Sequence, residues 1–278
     1  MKFSVKAWSK GGARAGVLQV GSCSIETPAL LINTRKGLPA FISPDLLSSL
    51  PTPDSRLFQF SPLHFSEGIS MKTISDLGGL HQMIGLHEHV FSAVPRDPIL
   101  SIPDYQSSNK LGASFETPCG RLLINPQKYM EMISSMKPNM WATLADEVPA
   151  WVSEKRNRAS VDRTLRWLDD CLTSSFGFCL GGFGLGESMD ERPSLLSAIT
   201  EILPEDKPRQ ICGLGLPEEV LQGVAAGVDL FDSTHNTHHY IGFFRAIREA
   251  IKGGAFEEFC RNFVETRRDH ILAVALNA

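Results

Sequence analysis

Paired, closely spaced cysteines are missing from the 278 residues. Cys23, Cys119, Cys171, Cys179, Cys212 and Cys260 stand singly, which leaves neither a disulfide framework nor a cysteine-based zinc site to be read and fits a reducing compartment. No apolar run approaches the roughly 20 residues of a membrane span. The opening MKFSVKAWSKGG lacks the apolar core of a secretory signal. Charge of one sign is also lacking: 27 Lys and Arg against 31 acids give a net charge of −4 and no global electrostatic reason to expect nucleic acid. Internal repeats and low-complexity tracts are absent. These absences predict a soluble, cytoplasmic protein, with peripheral association with a mitochondrial surface left open. A hydrophobic content of 42% supplies a core for one body over residues 1–278.

What is present is a dense stretch from Arg209 to Tyr240. Gln210 to Leu214 reads as a buried strand, Pro217 opens a helix with Glu218 and Glu219 in its first turn, and Gly227 stops it before a strand at Val228 to Phe231. That βαβ pattern belongs to a parallel sheet, and Asp232 lies at the carboxyl end of its second strand, where α/β folds place their chemistry. Earlier, residues 1–31 read as antiparallel hairpin material and Ser43 as the cap of a short helix SPDLLSSL. Residues 51–110, with six prolines, read as irregular. FETPCGRLLI reads as a turn between short strands, Asn125 as the cap of a helix that Pro126 begins, and Trp141 to Leu144 as a strand that Asp146 and Glu147 follow. The helix at 160–172 places Val161, Leu165, Leu168 and Leu172 on one face, opposite an arginine-rich side. Phe176 to Phe183 reads as a strand. Ser188 to Glu191 is a capping box, and two helices at 240–251 and 256–276 close the chain around Gly253 and Gly254.

Asp146 and Asp232, from two strand ends, could face one pocket and suit nucleophilic or acid–base chemistry on a sugar; each equally reads as a helix cap. GGFGLGE brings Gly181, Gly182, Gly184 and Gly186 into a loop that could approach a ligand ring or a phosphate, or simply turn tightly. It carries no dinucleotide fingerprint. His235, His238 and His239 cluster without thiolate or carboxylate neighbours, so a solvated helix start competes with a metal site. Lys155, Arg156, Arg158, Arg163 and Arg166 read as a solvated helix face, with phosphate contact as the alternative.

ARAG (13–16), IETPALL (25–31), ETPCGR (116–121), ADE (145–147), RTLRWLDDC (163–171), GGFGLGE (181–187), LPEDKPR (203–209) and GVDLFD (227–232) occur in an order that resembles the queuine tRNA-ribosyltransferase family, closest to its accessory subunit 2 branch. The resemblance spans nearly the whole chain. It implies a TIM-type (β/α)8 barrel that exchanges guanine for queuine at the tRNA wobble position through a covalent bond from an aspartate to ribose. On that basis Asp232 matches the nucleophile, Asp146 an acid that hydrogen-bonds the base, and the glycine loop the wall of the base pocket.

Three departures qualify the resemblance. Where the family's catalytic subunit carries DSGGFQ, whose Asp is a general acid or base, this chain has DPILSIPDYQ (97–106). FGFCLGGFGLGE joins two matching segments directly, which omits about one βα unit. The zinc segment C-x-C-x-x-C is also missing between Asp232 and His235. Only His235 then matches a zinc ligand, and one imidazole cannot hold a four-ligand structural Zn2+. Both gaps have clean edges, as a skipped exon would leave. The expectation is a shortened barrel that serves as a non-catalytic partner of a catalytic subunit in a heterodimer acting on tRNA. An active transglycosylase using Asp232 and a queuine-binding interaction protein are the alternatives.

Overall fold

In the first 27 residues apolar and polar side chains alternate, and three antiparallel strands result: β1 (Lys2–Trp8), β2 (Arg14–Val20) and β3 (Cys23–Thr27), in the order β1-β2-β3. The computed structural model describes residues 1–276 except 41, 100, 118–119, 172–175 and 234–236. After Pro28 the chain enters a fully buried strand, β4 (Ala29–Asn33), whose unbroken apolar run ALLI marks a strand covered on both faces. The segment at Pro44–Ser49 forms a 3-10 helix, and Ser43 makes no side-chain cap, contrary to the sequence expectation.

The stretch 51–110, expected to be irregular, carries regular elements. It contains two strands of the main sheet, β5 (Leu57–Phe60) and β6 (Val90–Ala93), with short helices α1 (Met71–Asp76) and α2 (Leu80–Ile84) between them. Strands of four residues give too short a period to stand out among prolines. A hairpin of β7 (Ala113–Thr117) and β8 (Gly120–Ile124) follows, as read, and residues 118–119 lie outside the described residues. Helix α3 (Pro126–Met136) is capped by Asn125, whose side chain accepts from the Lys128 amide at 2.8 Å. The strand expected at Trp141–Leu144 is shorter, β9 (Met140–Trp141). Then come α4 (Glu154–Cys171), β10 (Phe178–Leu180), α5 (Arg192–Thr200), β11 (Arg209–Ile211), α6 (Pro217–Ala225), β12 (Leu230–Ser233), α7 (Thr237–Lys252) and α8 (Phe256–Leu276).

Seven of these strands form one curled, wholly parallel sheet in the order β10-β11-β12-β4-β5-β6-β9, a TIM-like α/β arrangement. Its apolar core lies between strands and helices and includes Phe58, Phe60, Phe91, Phe231, Phe244 and Trp167. A second cluster joins Phe3, Leu18 and Ile25 of the antiparallel strands to Leu57, Val90 and Leu230, at or beside the first residues of β5, β6 and β12. The small sheet therefore plugs the amino-terminal end of the curled sheet.

Helix α4 faces the opposite way from its apparent amphipathic pattern. Val161 and Leu165 are 52% and 54% exposed, while Ser160, Trp167 and Cys171 are buried. Arg156, Ser160, Arg163 and Trp167 repeat at helical spacing on the inward stripe, because Arg156 and Arg163 pair there with a buried acid. Leu172 lies outside the described residues.

The plug is locked by one buried ion pair. Arg14 on β2 donates from Nε and Nη2 to Asp229 at 3.0 and 2.6 Å, and both side chains are fully buried. Its remaining donors reach the Glu205 and Lys207 carbonyls at 2.7 and 2.8 Å, and Asp229 also accepts from the Arg209 amide at 2.8 Å. Removing one partner strands a buried charge, which costs about 3–5 kcal/mol. Arg14→Ala is therefore expected to lower the unfolding free energy by that amount in urea titration, and a loss under ~1 kcal/mol would contradict the assignment.

Candidate functional site

In parallel α/β sheets the chemistry gathers where strands end, and five acids do so here. Asp232 lies on β12, 3% exposed. Gln59 on β5 donates from Nε2 to its Oδ2 at 2.9 Å, and the Gly213 amide, just after β11, donates to its Oδ1 at 3.0 Å. Gln59 is oriented in turn, since its Oε1 accepts from Gln210 Nε2 at 2.8 Å, and Gln210 Oε1 accepts from Ser92 at 3.3 Å. A polar layer thus runs inside the curled sheet from β6 to β12. Burial pushes the Asp232 carboxyl up to about 6, against the lowering pull of the Gln59 and Gly213 hydrogen bonds.

Asp146, after β9, has a fully buried side chain. Arg156 donates to both its oxygens at 2.7 and 2.8 Å, and Arg163 adds a contact of 2.9 Å. Three of its roughly four acceptor positions are thereby filled from within the chain. Thr164 and the Asp146 amide also lie in hydrogen-bond contact, at 3.0 Å. The expectation of a solvated arginine face fails for Arg156 and Arg163. It holds for Arg158, which is exposed beside Glu154.

The glycine loop is filled in a similar way. Gly182, Gly184 and Gly186 have φ of +86°, +70° and +112°, the left-handed region that favours glycine, and a Cβ on Gly184 would stand 2.4 Å from the Gly213 carbonyl oxygen. The loop therefore packs directly against the residue that holds Asp232. Its Gly184 and Leu185 amides donate to Glu187 at 2.7 and 3.0 Å, and Arg192 holds Glu187 at 2.8 Å. Gly181 faces Glu147, whose Oε1 would lie 3.3 Å from a Cβ there.

Sequence reasoning missed four side chains at this end, Gln59, Arg96, Asp97 and His64. Arg96, 7% exposed, grips Glu147 through Nε and Nη2 at 2.6 and 3.0 Å and reaches the Ser101 carbonyl at 2.6 Å. Asp97, the first residue of the segment read as lacking an acid, is buried and accepts from Asn33 and the Ile99 amide at 3.0 Å each. His64 Nε2 lies 3.0 Å from its other oxygen. Burial pushes Asp97 up, but the hydrogen bonds from His64, Ile99 and Asn33 outweigh it and hold the carboxyl below the usual range. The one available signal was Gln59, a polar residue inside the apolar run LFQF.

Of the histidine cluster, His238 and His239 are exposed at the start of α7, and His235 lies outside the described residues. Among the described residues no group of three or more His, Cys, Asp or Glu side chains is placed to hold a metal ion. A cavity of about 730 Å3 opens beside the site, lined by residues of both β9 and β10 and by Arg96, Glu147, Gln210 and Cys212. Asp232 does not line it. No helix among the described residues is long and apolar enough to cross a membrane.

A curled, wholly parallel sheet with carboxylates gathered at its strand ends defines an α/β protein of the TIM-like barrel class. A sequence profile for queuine tRNA-ribosyltransferase matches residues 9–176, 172–234 and 233–269, and the chain belongs to that family. The chain is 31% identical over 276 residues to queuine tRNA-ribosyltransferase accessory subunit 2 of Xenopus tropicalis, covering 84% of this chain and 65% of that one. It is 27% identical to the protein of the same name in Gallus gallus, covering 84% and 63%, and 24% identical to queuine tRNA-ribosyltransferase of Chromobacterium violaceum, covering 86% and 73%. The chain thus spans a little under two thirds of the length of these accessory relatives. The matching blocks meet at 172–176 and at 233–234.

The buried Asp232 makes stability depend on pH. The folded protein holds this proton more tightly than the unfolded chain, so stability falls as pH rises from the unfolded value of 3.8 through about 6. The two-unit difference corresponds to about 3 kcal/mol. Asp232→Asn, which cannot ionise, is expected to gain on the parent by up to that amount between about pH 4 and pH 7 in paired urea titrations. A difference that stays flat across that range would contradict the burial argument.

Proposed function

We propose that this chain is a non-catalytic accessory subunit of a tRNA-guanine transglycosylase, pairing with a catalytic subunit and supporting exchange of guanine for queuine at the wobble position of tRNA. The observation that carries the reading is the state of Asp146. The residue matching the base-contacting acid is buried and bound by Arg156 and Arg163, so a base would have to displace two charge-assisted contacts to reach it. Glu147 is likewise bound by Arg96, and Glu187 fills the amides of the glycine loop. DSGGFQ is absent, and the accessory subunits of Xenopus tropicalis and Gallus gallus are among the similar proteins.

On this reading residues 1–278 act as one shortened barrel that lacks a βα unit between α4 and β10 and the zinc segment after β12. The block junctions at 172–176 and 233–234 support that placement. The donor set around Asp232 to His239 contains no cysteine, so it does not fit a structural zinc, and no step is assigned to one. The free thiols Cys23, Cys171, Cys179, Cys212 and Cys260 favour a reducing, cytoplasmic setting. The active-enzyme alternative draws on a single observation, the retention of a carboxylate at Asp232 on a strand end.

Light scattering and labelled-guanine exchange into tRNA test the proposal together. A complex with the catalytic subunit, and no exchange by this chain alone, is the expected result. Failure to associate, or exchange by the chain alone with a tRNA adduct that disappears in Asp232→Asn, would overturn it.

A further inference from the structure

Two thiols meet on neighbouring strands: Sγ of Cys179 lies 3.9 Å from Sγ of Cys212. Cys179 is the middle residue of β10 and pairs with Gln210 of β11. Cys212 stands two residues beyond Gln210, so side-chain alternation puts both cysteines on the same face of the sheet. Cys23, Cys171 and Cys260 are also free, and among the described residues none of them touches a second thiol.

Cys212 belongs to the polar layer that holds Asp232. Its Sγ accepts from Gln210 Nε2 at 3.5 Å and donates to Gln59 Oε1 at 3.8 Å, and the amide of the next residue, Gly213, donates to Asp232. The two thiols differ in access, since Cys179 is exposed and Cys212 buried. Contact with Cys179 and burial push the Cys212 thiol well above its usual range, which keeps it protonated. An oxidant arriving from solvent therefore meets Cys179 first. Cys212 has room to move, because it lies past the last residue of β11 and Gly213 behind it has a φ of +91°, the left-handed region that favours glycine. The sulfurs need only approach from 3.9 Å to the roughly 2.05 Å of a disulfide.

We propose that Cys179 and Cys212 form a reversible oxidation site, at which hydrogen peroxide converts the thiol pair into a disulfide that ties β10 to the end of β11 and disturbs the hold on Asp232. The Cys179 sulfur attacks one peroxide oxygen and the O–O bond breaks. The departing hydroxide takes the proton that Cys179 gave up and leaves as water, and Cys179 keeps the other oxygen as a sulfenic acid. The Cys212 sulfur then displaces the sulfenic hydroxyl, which takes the Cys212 proton and leaves as a second water while the S–S bond forms. The pair loses two electrons and the peroxide gains them. In a reducing compartment such a bridge is transient, as suits a responsive pair rather than a structural one. It consumes the Cys212 S–H that reaches Gln59 and pulls on the residue next to the Gly213 amide. The pair owes nothing to the accessory-subunit reading, which stands or falls separately.

The full chain is treated with hydrogen peroxide, alkylated with iodoacetamide and digested without reductant for mass spectrometry. The expected result is a peptide bridged from Cys179 to Cys212, two hydrogens lighter than the thiol pair and released by dithiothreitol. In the oxidised chain the Gly213 amide, followed by NMR, is expected to exchange at least about ten-fold faster than in the reduced chain. Cys179→Ser, at an exposed position, is expected to leave Cys212 a free thiol under the same peroxide. Peptide mapping of the parent chain needs no variant, so misfolding of Cys179→Ser would not blunt the test. Oxidation of Cys179 to sulfinic acid without a bridge, or a bridge from either cysteine to Cys171 or to a second chain, overturns the proposal. A bridge that leaves Gly213 exchange unchanged overturns the link to Asp232.

Discussion

The buried pair between Arg14 and Asp229 fixes the strand on which the candidate site depends. Asp229 immediately precedes β12, and Asp232 lies three residues further along. A charge pair without water is rigid because each partner is costly to expose alone. The same guanidinium ties down the Glu205 and Lys207 carbonyls before β11, and Asp229 holds the Arg209 amide at that strand's start. Three of the segments that carry the family resemblance, ARAG, LPEDKPR and GVDLFD, converge on this contact. Much of what makes the sequence recognisable thus holds the amino-terminal end of the sheet together.

At the other end the strand-end acids are satisfied from inside the molecule. Asp232 has Gln59 and the Gly213 amide, Asp97 has His64 and Asn33, Asp146 has two arginines, Glu147 has Arg96, and Glu187 has the glycine-loop amides and Arg192. Buried acceptors paired in this way rigidify the strand ends. They also leave little unmet hydrogen-bonding capacity on these carboxylates for a ligand to meet.

The second half of the chain was largely legible in the sequence because its signals are local. Pro217 with its acidic first turn, Gly227, and the glycine pair at 253–254 mark boundaries that the structure keeps. Ser188 and Glu191 exchange the expected capping contacts at 3.2 Å, although the helix proper starts at Arg192. The first half hid β5 and β6 because four-residue strands between prolines leave no measurable period. The orientation of α4 was misread for another reason: Arg156 and Arg163 are inward because of Asp146, a tertiary partner that no pattern within the helix encodes. The site showed the same division. Asp146, Asp232 and the glycines could be named from motifs, whereas Gln59, Arg96, Asp97 and His64 belong to it only through contacts across strands.

On the accessory-subunit proposal, Asp232 does no chemistry in the assembled complex. Guanine exchange into tRNA, measured for the catalytic subunit paired with Asp232→Asn of this chain, addresses it directly. Exchange within about two-fold of the parent complex is the predicted result. Loss of exchange with the complex still intact would contradict the account and return Asp232 to the role of nucleophile.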